Sequence, residues 1–230
     1  MEKIIVAIGG GEIKTKETLE IDRYIAELIK SRTGERRPCG LFLGTASHDS
    51  MPYFNSFRKT YTSVFDIKAD VALTVYGEMD YLHIAEKFKK ADFLYVGGGD
   101  TKFMIETWHK SGIINLIIDA YNRGVVLTGL SAGAICWFKD VYSDFDIISG
   151  ESGEYKFMQG LNILDGLACP HYDNRAEFDE AFLKSDYPYA YAISNNSALV
   201  FVEGKFNKSI GKNKSYLLSK DDGKLVKEAL

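Results

Sequence analysis

The chain has 230 residues, 46% hydrophobic and 26% charged, with a formal net charge of -4. These proportions exclude a disordered or fibrous protein and supply a substantial core without disulfide or metal support. No basic block accompanies the charge, and the cluster from Arg32 to Arg37 reads as a solvated loop, so nucleic acid is not an expected partner.

Met1-Glu2-Lys3 leads into an apolar stretch, Ile4 to Ile8, that is too short for a signal-peptide core. No run reaches membrane-spanning length. Three unevenly spaced cysteines, Cys39, Cys136 and Cys169, form no C-x-x-C pair. Together these features predict a cytoplasmic protein with buried thiols and no membrane partner. A homodimer is left open. Along the first part of the chain, Ile4–Ile8, Leu41–Leu43, Val71–Val75, Phe93–Val96 and Val125–Thr128 read as strands. Thr18–Ser31, Pro52–Phe65, Asp80–Lys90 and Thr101–Tyr121 read as helices, the last broken near Ser111-Gly112. Leu19, Ile21, Ile25, Leu28 and Ile29 give the first helix its apolar stripe. Such alternation predicts an α/β fold with a mostly parallel sheet covered by helices on both faces. After Val125–Thr128, the run Ala134 to Phe138 can continue as a helix. Gly166–Cys169 reads as a further strand in the same sheet, followed by an amphipathic helix to about Leu183. From Tyr189, short strands with turns at Asn195-Asn196, Glu203-Gly204 and Gly211-Lys212-Asn213 predict a C-terminal antiparallel ribbon. With no repeat or linker, residues 1–230 read as a single domain.

Ligands of open α/β sheets bind beyond the carboxyl ends of the strands, so the residues there are the candidates for chemistry. Gly129-Leu130-Ser131-Ala132-Gly133 has the form of a nucleophile elbow, in which small neighbours leave the Ser131 hydroxyl exposed at a sharp strand-to-helix turn. Gly9-Gly10-Gly11 lacks the third glycine of a dinucleotide fingerprint and reads as a loop close to other backbone. Gly97-Gly98-Gly99 can turn N–H groups together as half of an oxyanion hole, with Asp100 a helix N-cap and a candidate substrate contact. A serine nucleophile needs a base, and histidine is the usual one. His83 and His109 lie in helices with polar surroundings, which leaves His171, in Cys169-Pro170-His171, and His48 as competitor. No metal-binding pattern is present.

Together, G-x-S-A-G-A after a strand, the upstream V-G-G-G-D-T loop and the downstream C-P-H-Y resemble the peptidase S51 family, which contains dipeptidase E and cyanophycinase. The resemblance implies a flavodoxin-like fold related to class I glutamine amidotransferases. It also implies a serine peptidase of small peptides without metal or organic cofactor, with Ser131 as nucleophile, His171 as base, and oxyanion donors from Ala132 and the loop containing Gly98 and Gly99. Another serine acyl hydrolase or a non-catalytic binding homologue is the alternative. In dipeptidase E a glutamate in an L-P-E-G stretch completes the triad; the matching stretch here is Ile193-Ser194-Asn195-Asn196. Either Asn195 orients His171, or Asp146, which matches a family aspartate, does so. Dipeptidase E relatives cleave after an N-terminal aspartate, and Arg175 is the candidate reader of that carboxylate.

Overall fold

The computed structural model describes residues 1–150 and 153–230. Its first half alternates β1 (Ile4–Ile8), α1 (Leu19–Thr33), β2 (Cys39–Leu43), α2 (Met51–Ser63), β3 (Lys68–Ala72), α3 (Tyr81–Lys90) and β4 (Phe93–Val96). The helices α4 (Thr101–Ser111) and α5 (Ile113–Asn122) follow, then β5 (Val126–Leu130) and the four-residue α6 (Ala132–Ile135). Gly112, at φ 75°, is the expected break between α4 and α5. The second half adds β6 (Phe138–Ser143), α7 (Phe145–Ser149), β7 (Lys156–Gln159), β8 (Leu164–Pro170), α8 (Phe178–Lys184), β9 (Tyr189–Ile193), β10 (Ser197–Val202), β11 (Lys205–Gly211), β12 (Tyr216–Asp221) and β13 (Lys224–Ala229).

These strands form two sheets, ordered β11-β10-β1-β5-β4-β2-β3 and β13-β12-β9-β8-β6-β7. From β1 to β3 the first sheet is parallel, with the antiparallel β10 and β11 at its other edge. The core of the second sheet, β6, β8 and β9, is also parallel. The expected C-terminal antiparallel strands are present but divided. The β10–β11 pair joins the first sheet and the β12–β13 pair the second.

Strand alternation sets the layers. Ile5 and Ala7 of β1 face one apolar cluster, while Ile4, Val6 and Ile8 face the other, so the central strands are buried on both sides. Helices α1 and α2 cover the second of these faces through Ile21, Ile25, Phe54 and Phe57. The first cluster takes Trp108, Ile113 and Ile117 from α4 and α5, and also Phe138, Val141, Ala168 and Ile193. One core therefore runs between the two sheets.

Three expectations need correction. The apolar run to Phe138 does not remain helical, because the chain leaves α6 after one turn and enters β6. The strand leading to His171 lies in the second sheet, beside β6 and β9, and not beside the elbow strand β5. Asn195-Asn196 is consequently no hairpin turn. It carries the chain from β9 in one sheet to β10 in the other.

Candidate active site

The elbow is built by close backbone approach. Ser131 has φ 56° and ψ -114°, a conformation that costs a non-glycine residue about 1–3 kcal/mol. Its N–H donates to the Ile8 carbonyl at 2.9 Å, and its own carbonyl accepts from Ala134 and Ile135 at 2.9 and 3.0 Å. The two flanking glycines are required sterically: a Cβ at Gly129 would sit 2.1 Å from the Gly133 oxygen, and one at Gly133 would sit 2.2 Å from the Val96 oxygen.

His171 reaches Ser131 from the other sheet. Its backbone is also strained, at φ 132°, directly after β8 and Pro170, and its N–H donates to the Ile193 carbonyl at 3.3 Å. Nε2 lies 2.5 Å from Ser131 Oγ, while Nδ1 lies 2.9 Å from Asn195 Oδ1. An amide oxygen can only accept, so Nδ1 carries the proton and Nε2 presents its lone pair to the serine hydroxyl. Burial holds the imidazole pKa below its ordinary 6.5, assisted by the charge of Arg175 and opposed by the Asn195 hydrogen bond, Asp144 and Asp173. The ring is thus neutral, as a general base must be, at neutral pH.

Sequence reasoning missed Asp173. It lies in the short 3₁₀ turn that follows His171, and one of its carboxylate oxygens accepts the Asn195 backbone N–H at 2.9 Å and the Asn195 Nδ2 at 3.0 Å. Its signal was a carboxylate two residues beyond the candidate base.

Ser131 and His171 open on a cavity of about 420 Å³, lined also by Gly98, Leu130, Tyr53, Glu12 and Lys14. Gly98 packs against Ser131, with its N–H donating to the Tyr53 hydroxyl at 3.3 Å. Ala132 begins α6, so its N–H is among those that a helix leaves without an internal partner. Both residues lie beside Ser131, the Gly98 N–H engaged by the Tyr53 hydroxyl and the Ala132 N–H without a partner inside its helix.

Four other candidates sit elsewhere. Gly99 turns against the Ala46 carbonyl, 2.1 Å from where its Cβ would be, and does not line the cavity. Asp100 is occupied as the N-cap of α4, accepting the Phe103 N–H at 3.0 Å, and does not line the cavity. Asp146 is buried in an ion pair with Lys156 and is not the group on Nδ1, which is Asn195. Arg175 is 2% exposed and does not line the cavity. Its guanidinium donates to the Tyr142 carbonyl at 3.0 Å, pairs with Asp144 at 3.2 Å and stacks over the Tyr155 ring. Of the other histidines, His48 stacks on Phe103, and His83 and His109 are exposed.

No helix among the described residues is long and apolar enough to cross a membrane, and no cluster of three or more metal-ligating side chains occurs among them. Cys39, Cys136 and Cys169 are buried and free.

Comparison with known proteins matches residues 5–209 to the model of peptidase family S51. The uncharacterized peptidase YgaJ of Bacillus subtilis is 29% identical over 214 residues, covering 91% of this chain and 87% of the relative. The uncharacterized peptidase Lmo0363 of Listeria monocytogenes is 32% identical over 142 residues, covering 59% and 66% respectively. A crystal structure of a peptidase from an acI-B1 Actinobacterium shares the fold, with a TM-score of 0.74 at 18% identity over 100% of this chain and 97% of that one.

Proposed function

Because the chain belongs to peptidase family S51, we propose that it hydrolyses small peptides through an acyl-enzyme formed on Ser131, residues 1–230 acting as one catalytic unit drawn from both sheets. The observation that carries this reading is the 2.5 Å contact between His171 Nε2 and the hydroxyl of a strained Ser131 on the wall of an open cavity. As Oγ attacks the scissile carbonyl carbon, its proton passes to Nε2, and the carbonyl oxygen takes the electron pair. The N–H groups of Ala132 and Gly98 receive that oxyanion, Gly98 exchanging its Tyr53 hydroxyl partner for it. Collapse breaks the C–N bond while Nε2 returns its proton to the leaving amine. Water then repeats the sequence on the ester. Asn195 holds the productive tautomer throughout.

A peptide entering the cavity meets both a carboxylate, Glu12, and a cation, Lys14. We assign to Lys14 the reading of a substrate carboxylate for which Arg175, held by Asp144 and Tyr155, is not placed. The test is a dipeptide library, including Asp-Leu, Asn-Leu and Ala-Leu, assayed with wild-type and Ser131→Ala protein. Hydrolysis by the wild type alone is expected; equal hydrolysis by both would overturn the mechanism.

A further inference from the structure

Asn195 meets the imidazole with an amide where a carboxylate would stabilise the imidazolium better, and that amide is itself backed by a carboxylate. Resting on the serine-hydrolase reading above, we infer that Asp173 is a positioning residue for catalysis, completing a Ser131–His171–Asn195–Asp173 relay in which its carboxylate acts on the base through the Asn195 amide. A carboxylate can only accept, so it draws the Nδ2 hydrogens of Asn195 towards itself and turns Oδ1 to His171. The same oxygen accepts the Asn195 backbone N–H, which fixes the main chain carrying the amide. Asn213 Nδ2 donates to the Asn195 carbonyl at 2.8 Å and holds the peptide from its other side.

The consequence is a choice of tautomer. Without an acceptor behind it, the amide can turn over and present Nδ2 to the imidazole, which then places its proton on Nε2. That nitrogen would donate to Ser131 Oγ and could not take its proton. Asp173 also polarises the amide, placing more negative charge on Oδ1 as the imidazolium forms. Asp173 and His171 are separated by one residue on a single turn, so the segment that supplies the base also supplies the support for its orienter.

Other charges bear on the two groups. Arg175, Asp144 and Asp173 act on His171, and Asp173 itself lines a second cleft with Tyr172, Lys212 and Lys214. A titration must therefore compare variants within this setting.

The experiment measures the pH dependence of Ser131 phosphorylation by diisopropyl fluorophosphate, fluoride leaving, which needs no knowledge of the natural substrate, together with thermal melting. Asp173→Ala should slow labelling by about 10²-fold, short of the roughly 10⁴-fold that a wholly wrong tautomer costs. Asp173→Asn, whose amide oxygen can still accept, should lose less than about tenfold. The acid limb of both should move to lower pH, because a charge favouring the imidazolium has gone. The exchange variant Asp173→Asn/Asn195→Asp puts the carboxylate directly on Nδ1 and an amide donor behind it; it should recover the wild-type rate and move the acid limb to higher pH. A role confined to folding would lower the melting temperature, leave the acid limb in place and gain nothing from the exchange, and that pattern overturns the relay. Wild-type rates in Asp173→Ala would also overturn it. Failure of the wild-type serine to react at all would instead reject the serine-hydrolase reading, and the relay with it.

Discussion

Gly10→Ala isolates the geometry of the site from its chemistry, because the substitution adds one methyl group and removes no polar atom. An ideal Cβ at Gly10 would lie 2.0 Å from Asn195 Oδ1, 2.3 Å from His171 Nδ1 and 2.6 Å from His171 Cε1. Ordinary contacts lie near 3.5 Å, so relief requires a retreat of roughly 1 Å or more. The Gly10 loop itself has little room to yield. The Gly9 N–H is bonded to the Ser197 carbonyl at 2.9 Å, the Gly10 carbonyl accepts from Asn196 at 3.0 Å, and a Cβ on Gly9 would be 2.4 Å from two further carbonyl oxygens. The imidazole and amide must therefore move apart from each other or away from Ser131. A displacement of about 1 Å costs on the order of 10² in kcat. Forcing an extra methyl into this packing should also cost about 1–3 kcal/mol of stability. The assay is kcat on the best dipeptide of the library, alongside a thermal melt. Activity within twofold of wild type would refute the reasoning, since the methyl group would then fit without disturbing the pair.

Ser131→Ala and His171→Ala should each lower kcat by roughly 10⁴–10⁶, with the double variant little worse; additive losses would show that the two do not act as a unit. Burial lowers the His171 pKa below 6.5, and the neutral ring is the active form, so kcat/KM should persist as pH falls through 6.5 and decline only below it. An acid limb centred above 6.5 would contradict this. Asn195→Ala should cost more in kcat than Asp146→Asn, which touches an ion pair with Lys156; the reverse order would reassign the orienter. Arg175→Ala should lower stability by about 1–3 kcal/mol, because it leaves the buried Tyr142 carbonyl without its donor, and leave KM nearly unchanged. A large KM effect with unaltered melting would return Arg175 to substrate recognition. Buried Asp22, hydrogen-bonded by Thr18 and Tyr61, has its pKa pushed up to about 6 from 3.8, chiefly by desolvation. The folded state then binds more protons than the unfolded chain between those values, so Asp22's contribution is full below 3.8 and is lost as pH rises through 6. Asp22→Asn should remove that loss, gaining on wild type as pH rises from 3.8 to about 6 and keeping a constant lead above it in thermal melts. A pH-independent difference would count against the assignment.

The central strands were legible because burial on both faces demands continuous aliphatic runs, as in Ile4–Ile8 and Phe93–Val96. Edge strands escape that rule. β3 is mostly half-buried and carries Lys68 and Asp70, so its aliphatic end alone drew the reading towards Val71–Val75. β6 was hidden by position, because Trp137 and Phe138, which follow the one-turn α6, suit either state. Ser131, His171, Gly98 and Ala132 could be read as residues at strand ends. Sheet membership could not, since apolar pattern records burial and not which strand is the neighbour. That distinction also explains Asn195. Two asparagines are a favourable hairpin turn locally, and only the tertiary partners, His171 and Asp173, reveal the crossing. Arg175 was misplaced for a similar reason, since a buried cation is settled by distant groups, Tyr142 and Asp144, that spacing from His171 does not report.

The division of the site between two sheets carries a consequence for biosynthesis. Ser131 and Gly98 follow strands of the first sheet and His171 follows one of the second. Asn195 stands where the chain crosses back for β10 to pair with β1, joining Ser197–Val202 to Ile4–Ile8. Contacts of such sequence separation form late, because loop-closure entropy must be overcome before they contribute. A ribosome-bound chain that has exposed its serine therefore still lacks a working base. On the function proposed above, hydrolytic competence should arrive only with that last docking event.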